Sequence, residues 1–298
     1  MNKITKNFKF LTVMGLALII IGAIGIFTTR ASNNNRDLIT LQDSINVANV
    51  TSVNIRTRNQ NVVVLPTSAL DATITATGLL TDSTLNVAVN NGNLSIEVNE
   101  PRQGTVNFNF FSVPRTSSEP LQFISVVHPL LEISLPQNIY NNLTITTSNG
   151  RIEISDLVID NLNLNTTNGR VNVRNIIGSL DVTSSNGRIE AADIDGDLFI
   201  RTTNGQMNFS NISGDIDAVT SNGSVDFRND TIRQNVDIRS SNGRIELNLG
   251  EAPDNATFDV RTTNGSISLF GNNNQTQTFG DGRYDIVIRT SNGRITVE

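Results

Sequence analysis

Residues 143–154 read LTITTSNGRIEI, and the pattern recurs: a Ser/Thr pair followed by Asn-Gly occurs eight times between Thr147 and Gly293. The turns are Asn149-Gly150, Asn168-Gly169, Asn186-Gly187, Asn204-Gly205, Asn222-Gly223, Asn242-Gly243, Asn264-Gly265 and Asn292-Gly293. Successive Asn residues lie 19, 18, 18, 18, 20, 22 and 28 positions apart, a short period that drifts late. In the first copy Leu143 and Ile145 precede the turn and Ile152 and Ile154 follow it, with polar residues between. Alternation with period two marks a strand that buries one face. The same four slots are apolar in all eight copies, 32 positions from Leu143 to Val297.

Two architectures satisfy this pattern. Asn-Gly between alternating segments signals a hairpin, because a type I′ turn needs positive φ at both central residues; a series of antiparallel hairpins is one solution. The other is a parallel, right-handed β-solenoid, all-β, with coils of about 18 residues stacked about 4.8 Å apart. A second punctuation at Ile176-Ile177-Gly178, Ile194-Asp195-Gly196 and Ile212-Ser213-Gly214 favours coils of constant length. In a solenoid the Ser/Thr and Asn side chains fall into ladders, each copy hydrogen-bonded to the next, as in cross-β stacks.

The upstream region reads as a degenerate start of the same repeat. Val53-Asn54-Ile55 and Val62-Val63-Val64 flank Arg58-Asn59-Gln60, and Leu85 to Val89 runs into Asn91-Gly92 and then Leu94-Ser95-Ile96. Between 100 and 130 the period is lost to an insertion carrying Phe108, Phe110, Phe111 and Phe123 among prolines. Loops this long cap, bind or are disordered. The aromatics therefore either cover the solenoid or form a candidate partner surface centred on Phe108, Phe110 and Phe111.

Composition sets the address. The chain has 42 Asn, no Cys, no Trp, one His and three Lys, and Lys3, Lys6 and Lys9 all precede the uncharged run Phe10–Thr29. Twenty apolar residues span a bilayer as a helix, and the Lys cluster keeps the N-terminus cytoplasmic. A single-pass anchor at 10–29 is expected, after a basic segment at 1–9 and before a linker at 30–44; secretion after signal cleavage is the alternative, with Thr29-Arg30-Ala31 as the small-residue site. Residues 45–298 then form one extracytoplasmic domain on the cell membrane. Without Cys there is no disulfide framework. Beyond residue 29 stand 19 Arg against 28 acids, a net charge of −9, which argues against nucleic acid as a partner.

The start Val53-Asn54-Ile55, the segment Leu131-Glu132-Ile133-Ser134-Leu135-Pro136 leading to Tyr140, and the Leu-x-Ile-x-Thr-Ser-Asn-Gly-Arg-Ile-x-Ile units resemble the DUF4097 family over residues 45–298. The resemblance implies a β-helix-like, adhesin-like domain outside a bacterial cell, often behind one membrane segment. It brings no catalytic residues to carry over.

Arg follows Asn-Gly in five copies, at Arg151, Arg170, Arg188, Arg244 and Arg294, and a second row holds Arg201, Arg239, Arg261 and Arg289. Stacked guanidinium groups could grip a repeating anion such as a cell-wall polymer or acidic glycan. Alternatively they pair with Glu153, Glu190 and Glu246, two residues further on. Asp193, Asp195, Asp197, Asp215 and Asp217 form an acidic cluster without the spacing of a calcium loop, so solvation is the simpler reading. No zinc, phosphate-loop or dinucleotide pattern occurs, and no metal or cofactor is expected. The lone His128 beside Pro129 has no nucleophile pattern around it.

The expected function is a non-enzymatic, cell-surface or envelope-associated adhesin-like binding module, with a glycan, wall polymer or surface protein as partner. A membrane-anchored accessory of an envelope-stress signalling system is the alternative, and a polysaccharide-active enzyme the third reading. Glu298 follows Asn292 by six residues, so the last coil is expected to leave an open edge. Either residues 271–283 fold over that edge or it serves self-association.

Overall fold

The computed structural model describes residues 25–27, 38–101, 128–137 and 140–298. The expected basic segment, most of the expected anchor, and Phe108, Phe110 and Phe111 lie outside the described residues. The first strands are β1 (Gly25–Phe27), β2 (Leu38–Asn46), β3 (Ser52–Arg56), β4 (Asn61–Thr67), β5 (Asp71–Leu80), β6 (Thr84–Asn90) and β7 (Asn93–Asn99). After the insertion come β8 (Leu130–Pro136), β9 (Tyr140–Thr147), β10 (Ile152–Thr166), β11 (Val171–Ser184), β12 (Ile189–Asp195), β13 (Leu198–Thr202), β14 (Met207–Ile212), β15 (Ile216–Thr220) and β16 (Val225–Asn229). The chain closes with β17 (Val236–Ser240), β18 (Ile245–Leu249), β19 (Ala256–Thr262), β20 (Ile267–Leu269), β21 (Thr276–Phe279), β22 (Tyr284–Thr290) and β23 (Ile295–Val297).

Pairing arranges these strands in two rows. The first runs β6-β7-β3-β9-β10-β11-β13-β15-β17-β22-β19-β21. The second runs β1-β2-β5-β8-β4-β10-β11-β12-β14-β16-β18-β23-β20. The long strands β10 and β11 pass through both rows. Every pairing between repeats is parallel, and the segments on either side of a cassette turn lie in different rows, which rules out serial hairpins. Of the 32 apolar slots all are buried except Ile267, which is partly buried against the same core. Each buried aliphatic side chain contributes roughly 1.5–3 kcal/mol, and their stacking fixes the register.

The cassette turn is a device for close stacking rather than a left-handed turn. None of its eight Asn or Gly residues has positive φ. A Cβ on Gly205 would lie 2.0 Å from the carbonyl oxygen of Gly187 below, and one on Gly187 would lie 1.8 Å from that of Gly169. Only glycine lets neighbouring turns approach this closely. The Asn side chains form one ladder in which each Nδ2 donates to the Oδ1 of the coil below. It starts at Asn59 and climbs through Asn149, Asn168, Asn186, Asn204, Asn222, Asn242, Asn292 and Asn264, with bonds of 2.7–2.8 Å. The expected Ser/Thr ladder takes a different form. In seven of the eight cassettes the first hydroxyl of the pair turns inward and accepts the N–H of its own Gly, from Thr147 with Gly150 at 3.2 Å to Ser240 with Gly243 at 2.8 Å. It then donates to a carbonyl of the coil below where geometry allows, as Thr290 does to Gly243 at 3.3 Å. Thr147 also accepts from its early-coil counterpart Thr57 at 3.1 Å, while at the later of these turns the inward hydroxyl serves the orphan Gly N–H of its own turn.

The ladder order shows an inversion that the sequence order hides. The eighth cassette lies between the sixth and the seventh: β22 pairs with β17 on one side and β19 on the other. The expectation that the last strand forms an open edge is therefore corrected. β23 is enclosed by β18 and β20. The end coil is the seventh, and residues 271–283 do fold over it: β21 pairs antiparallel with β19. Phe258, Phe270 and Phe279 close the core there, in edge-to-face contacts of 5.3, 6.0 and 5.1 Å. Capping the end stops it from templating another strand.

The opposite end is built differently from the sequence expectation in two places. Val53 to Val64 forms the expected early coil, but it sits between the coil of β7 and β8 and that of β9 and β10. Leu85 to Ile96 is no coil: β6 and β7 form an antiparallel hairpin about Asn91 (φ 50°) and Gly92 (φ 75°). Part of the expected anchor and linker is also strand. β1, at Gly25–Phe27, pairs antiparallel with β2, which itself begins at Leu38. Extended backbone at Gly25–Phe27 departs from a continuous helix over 10–29, because β2 offers these residues an unpaired edge. No helix among the described residues is long and apolar enough to cross a membrane.

Candidate anion-binding groove

In the first row of strands inward and outward residues alternate, so Val236, Ile238 and Ser240 face the core while Asp237 and Arg239 face out. The inversion of the last two cassettes acts on this outward face. Arg239 pairs in register with Arg289, and Arg289 with Arg261. Three arginines that are 22 and 28 positions apart along the chain, in the order 239, 261, 289, thus stand on three adjacent strands, about 4.8 Å apart. The fourth member expected in this row, Arg201, is separated from them by Val219 and pairs with Asp217 at 3.2 Å.

The acids beneath this trio are fewer than the guanidinium groups. The slot two residues earlier holds Asp237, Val287 and Asp259 on the same three strands. Arg239 pairs with Asp237, and Arg261 with Asp259 at 2.7 Å. Arg289 has Val287 where its own acid would stand and shares Asp259 at 3.3 Å. Burial pushes the Asp259 carboxyl up, but hydrogen bonds and charge from Arg261 and Arg289 outweigh it and hold the group below the usual carboxylate range. The three arginines line an open depression of about 490 Å³ with Thr263, Ser291 and Gln275 along its rim. Guanidinium forks flanked by hydroxyl and amide donors suit carboxylate, sulfate or phosphate oxygens.

The row expected to carry this role is partly neutralised and interrupted. Arg151, Arg188 and Arg244 reach Glu153, Glu190 and Glu246 at 3.1, 3.7 and 3.0 Å, the in-strand pairing anticipated as the alternative. Arg170 and Arg294 have Asn172 and Thr296 two residues on and make no ion pair among the described residues. Gln206 and Ser224 occupy the same slot between Arg188 and Arg244, which splits the row into Arg151-Arg170-Arg188 and Arg244-Arg294. On the second face, Arg174 and Arg228 flank a shallow depression floored by Ala192 and Ser210. Arg228 is held by both oxygens of Asp226.

The acidic cluster is structural. Asp193 has positive φ and accepts from Asn211 at 2.8 Å; Asp156, Asn175 and Asn211 share that left-handed corner. Asp and Asn tolerate this conformation better than other side chains, a signal the sequence displays and the cassette obscures. Asp195 accepts from the Ser213 hydroxyl at 2.7 Å, Asp197 from the Asp215 N–H at 2.9 Å, and Asp215 from the Asn235 N–H at 2.9 Å. Among the described residues no group of three or more His, Cys, Asp or Glu is placed to hold a metal ion. His128 is exposed, ahead of β8.

No curated protein matches the chain. Three crystal structures are similar over most of its length: a candidate cell adhesion protein of Clostridium sporogenes, 11% identical, covering 87% of this chain and 98% of that one at a TM-score of 0.30; a candidate adhesin of Bacteroides fragilis, 14% identical, covering 91% and 100% at 0.36; and a candidate adhesin of Parabacteroides distasonis, 10% identical, covering 87% and 97% at 0.33. These likenesses are remote, and the assignment rests on the family model described as Toastrack DUF4097, which matches residues 50–298. A match that takes in every cassette, the early coil and the capped C-terminal end makes the chain a member of the DUF4097 family.

Proposed function

We propose that this chain is a non-enzymatic, adhesin-like binding module of the cell surface or envelope, and that it takes an anionic polymer along the groove of Arg239, Arg289 and Arg261. The observation that carries the reading is the register of those three side chains on adjacent strands with two carboxylates between them. A repeating polyanion, such as a wall phosphate or an acidic glycan, can present one anionic group per strand step. The net charge of −9 beyond residue 29 repels such a polymer elsewhere and directs it to the groove. The run Phe10–Thr29 supports placing the module on the outer side of a membrane, with the short β1–β2 pairing given up when that run enters the bilayer.

Binding of residues 38–298 to immobilised polyphosphate and to a polyuronate tests the reading. The parent binds, with affinity falling as salt rises, and the triple variant R239A/R261A/R289A loses most of that binding. Equal binding by the triple variant removes the groove from the account, and loss in R151A/R170A/R188A instead would move the site to the second face.

The uncharged run also favours a second reading, a membrane-anchored accessory of an envelope-stress system. Replacing residues 1–29 by an unrelated tether separates the two: adhesion survives the exchange, whereas signalling through the membrane does not.

A further inference from the structure

Asn-Gly is the dipeptide most open to spontaneous deamidation, and this chain carries it nine times: the eight cassettes and Asn91-Gly92. The reaction begins when the Gly backbone nitrogen gives its proton to solvent and attacks the Asn side-chain carbonyl carbon. A C–N bond closes a succinimide ring and the side-chain nitrogen leaves as ammonia. Water then opens the ring at one of its two carbonyl carbons, leaving aspartate or isoaspartate. Two things are required of the site: a Gly N–H free to be deprotonated, and an Asn amide free to turn towards it.

The solenoid denies both at most cassettes. In seven of them the Gly N–H is donated to the inward hydroxyl of the same turn, at 2.8–3.2 Å. In those seven the Asn Nδ2 also donates to the coil below, and the Oδ1 accepts from the coil above. Ring closure there requires breaking three hydrogen bonds and opening a turn whose Gly is stacked between two neighbours.

Asn264 stands at the ladder's end. Its Nδ2 donates to Asn292, its Oδ1 has no partner among the described residues, and the Thr262 hydroxyl donates to the Gly293 carbonyl rather than accepting from Gly265. Asn91 stands outside the ladder altogether. It is exposed at the tip of the β6–β7 hairpin, and among the described residues neither its side chain nor the Gly92 N–H has a hydrogen-bond partner. The turn is tied down by the flanking Asn90–Asn93 pair and through the Gly92 carbonyl, which accepts from the Thr51 and Ser52 N–H groups at 2.9 and 3.1 Å.

We infer that the Asn ladder and the inward hydroxyls chemically protect the repeat, and that Asn91 is the modification site of this protein, converted by water to aspartate and isoaspartate, with Asn264 second. The protection is kinetic. It follows the free energy of opening one coil, which is large for interior coils and small for a hairpin tip.

The test incubates the full chain at mildly alkaline pH, folded and in urea, and follows all nine sites by peptide mapping with isoaspartate detection. In the folded chain Asn91 converts first and Asn264 next, while the other seven react on the order of 100-fold more slowly than Asn91. In urea the nine rates converge. A Ser184→Ala variant, which takes the acceptor from the Gly187 N–H, raises conversion at Asn186 above that of its neighbours Asn168 and Asn204. Conversion of Asn204 in the folded chain at the rate of Asn91 would overturn the inference. An unchanged Asn186 in the Ser184→Ala chain would overturn the part assigned to the hydroxyl.

Discussion

Asn292 donates its side-chain N–H to Oδ1 of Asn242, 50 residues earlier in the chain, at 2.7 Å. Asn264 lies between them in sequence but on top of them in space, donating to Asn292 at 2.8 Å. The chain therefore leaves the sixth coil, skips one level to build the seventh, caps it with β21, and returns to fill the level it left. This return encloses the C-terminal strands on both sides. It also places Arg289 between Arg239 and Arg261, so the arrangement of the fold and the candidate site have one cause.

Glycine in the cassette is required by proximity, and this separates two kinds of glycine substitution. Gly205→Ala puts a methyl 2.0 Å from a backbone oxygen that cannot move without shifting a coil, and is expected to cost about 3 kcal/mol or more. Gly271→Ala has open space around it but a φ of 77°, and should cost about 1 kcal/mol. Urea unfolding of the two variants measures the contrast. Similar losses in both would mean that φ, not stacking, selects the residue.

At Thr220 the hydroxyl matters more than the side-chain shape. It is buried and accepts the Gly223 N–H at 3.0 Å. Thr220→Ser keeps the acceptor, as Ser184 and Ser240 do naturally, and is expected to change stability little. Thr220→Val leaves a buried donor unpaired, at about 1–3 kcal/mol. Thermal melting of the two variants against the parent checks this, and a Val variant as stable as the Ser variant would contradict it.

Asp259 restrains two of the three groove arginines. Since its folded pKa is lowered, its stabilising contribution is present above its unfolded pKa and is lost as pH falls through the lower folded value. Removing the charge by Asp259→Asn should strengthen polyphosphate binding several-fold at neutral pH. That advantage over the parent should shrink in acid, where Asp259 itself becomes protonated and releases Arg261 and Arg289. Titration calorimetry at two pH values reads both effects; weaker binding by the variant at neutral pH would show that Asp259 orients the arginines rather than competing for them.

Tyr140 closes a buried corner, donating its hydroxyl to the Pro136 carbonyl at 3.1 Å. Burial pushes its phenol from 10.0 up to about 12. A raised folded pKa means that this contribution to stability is complete below about 10 and is lost as pH rises towards about 12. Absorbance titration in a Tyr284→Phe background should show phenolate appearing near the upper value in the folded chain, and near the lower value in urea. Coincident curves would place Tyr140 in contact with solvent.

Much of the fold was legible because one physical demand repeats. Leu143, Ile145, Ile152 and Ile154 must be buried, and every later cassette copies them, so half-buried strands and their core follow from the pattern, and the second punctuation at Gly178, Gly196 and Gly214 favours parallel coils over hairpins. The Asn-Gly dipeptide is where pattern reading divides. At Asn91-Gly92 it makes a left-handed hairpin turn, while at Asn149-Gly150 it makes a stacked corner. The difference lies in the preceding residues: Thr147 supplies a hydroxyl for the Gly150 N–H, whereas Val89-Asn90 has nothing equivalent. The inversion was hidden because the cassettes are interchangeable in apolar pattern. Its trace is the drift of spacing to 22 and 28, which makes room for the Phe270–Phe279 cap. The Arg trio depends on that inversion, and so its neighbours could not be read from sequence order.

The absence of cysteine makes the inversion directly measurable. Ser241, Ser291 and Thr263 are exposed second residues of the sixth, eighth and seventh turns, stacked in that order, with Ser291 N–H bonded to the Ser241 carbonyl at 3.2 Å. Neighbouring levels are about 4.8 Å apart and alternate levels roughly twice that, beyond the reach of a disulfide. Oxidation of three double-cysteine variants should therefore crosslink S241C/S291C and T263C/S291C within the folded chain and leave S241C/T263C reduced. Efficient intramolecular crosslinking of S241C/T263C, with S241C/S291C left open, would put the coils in sequence order and remove the Arg239-Arg289-Arg261 groove with it.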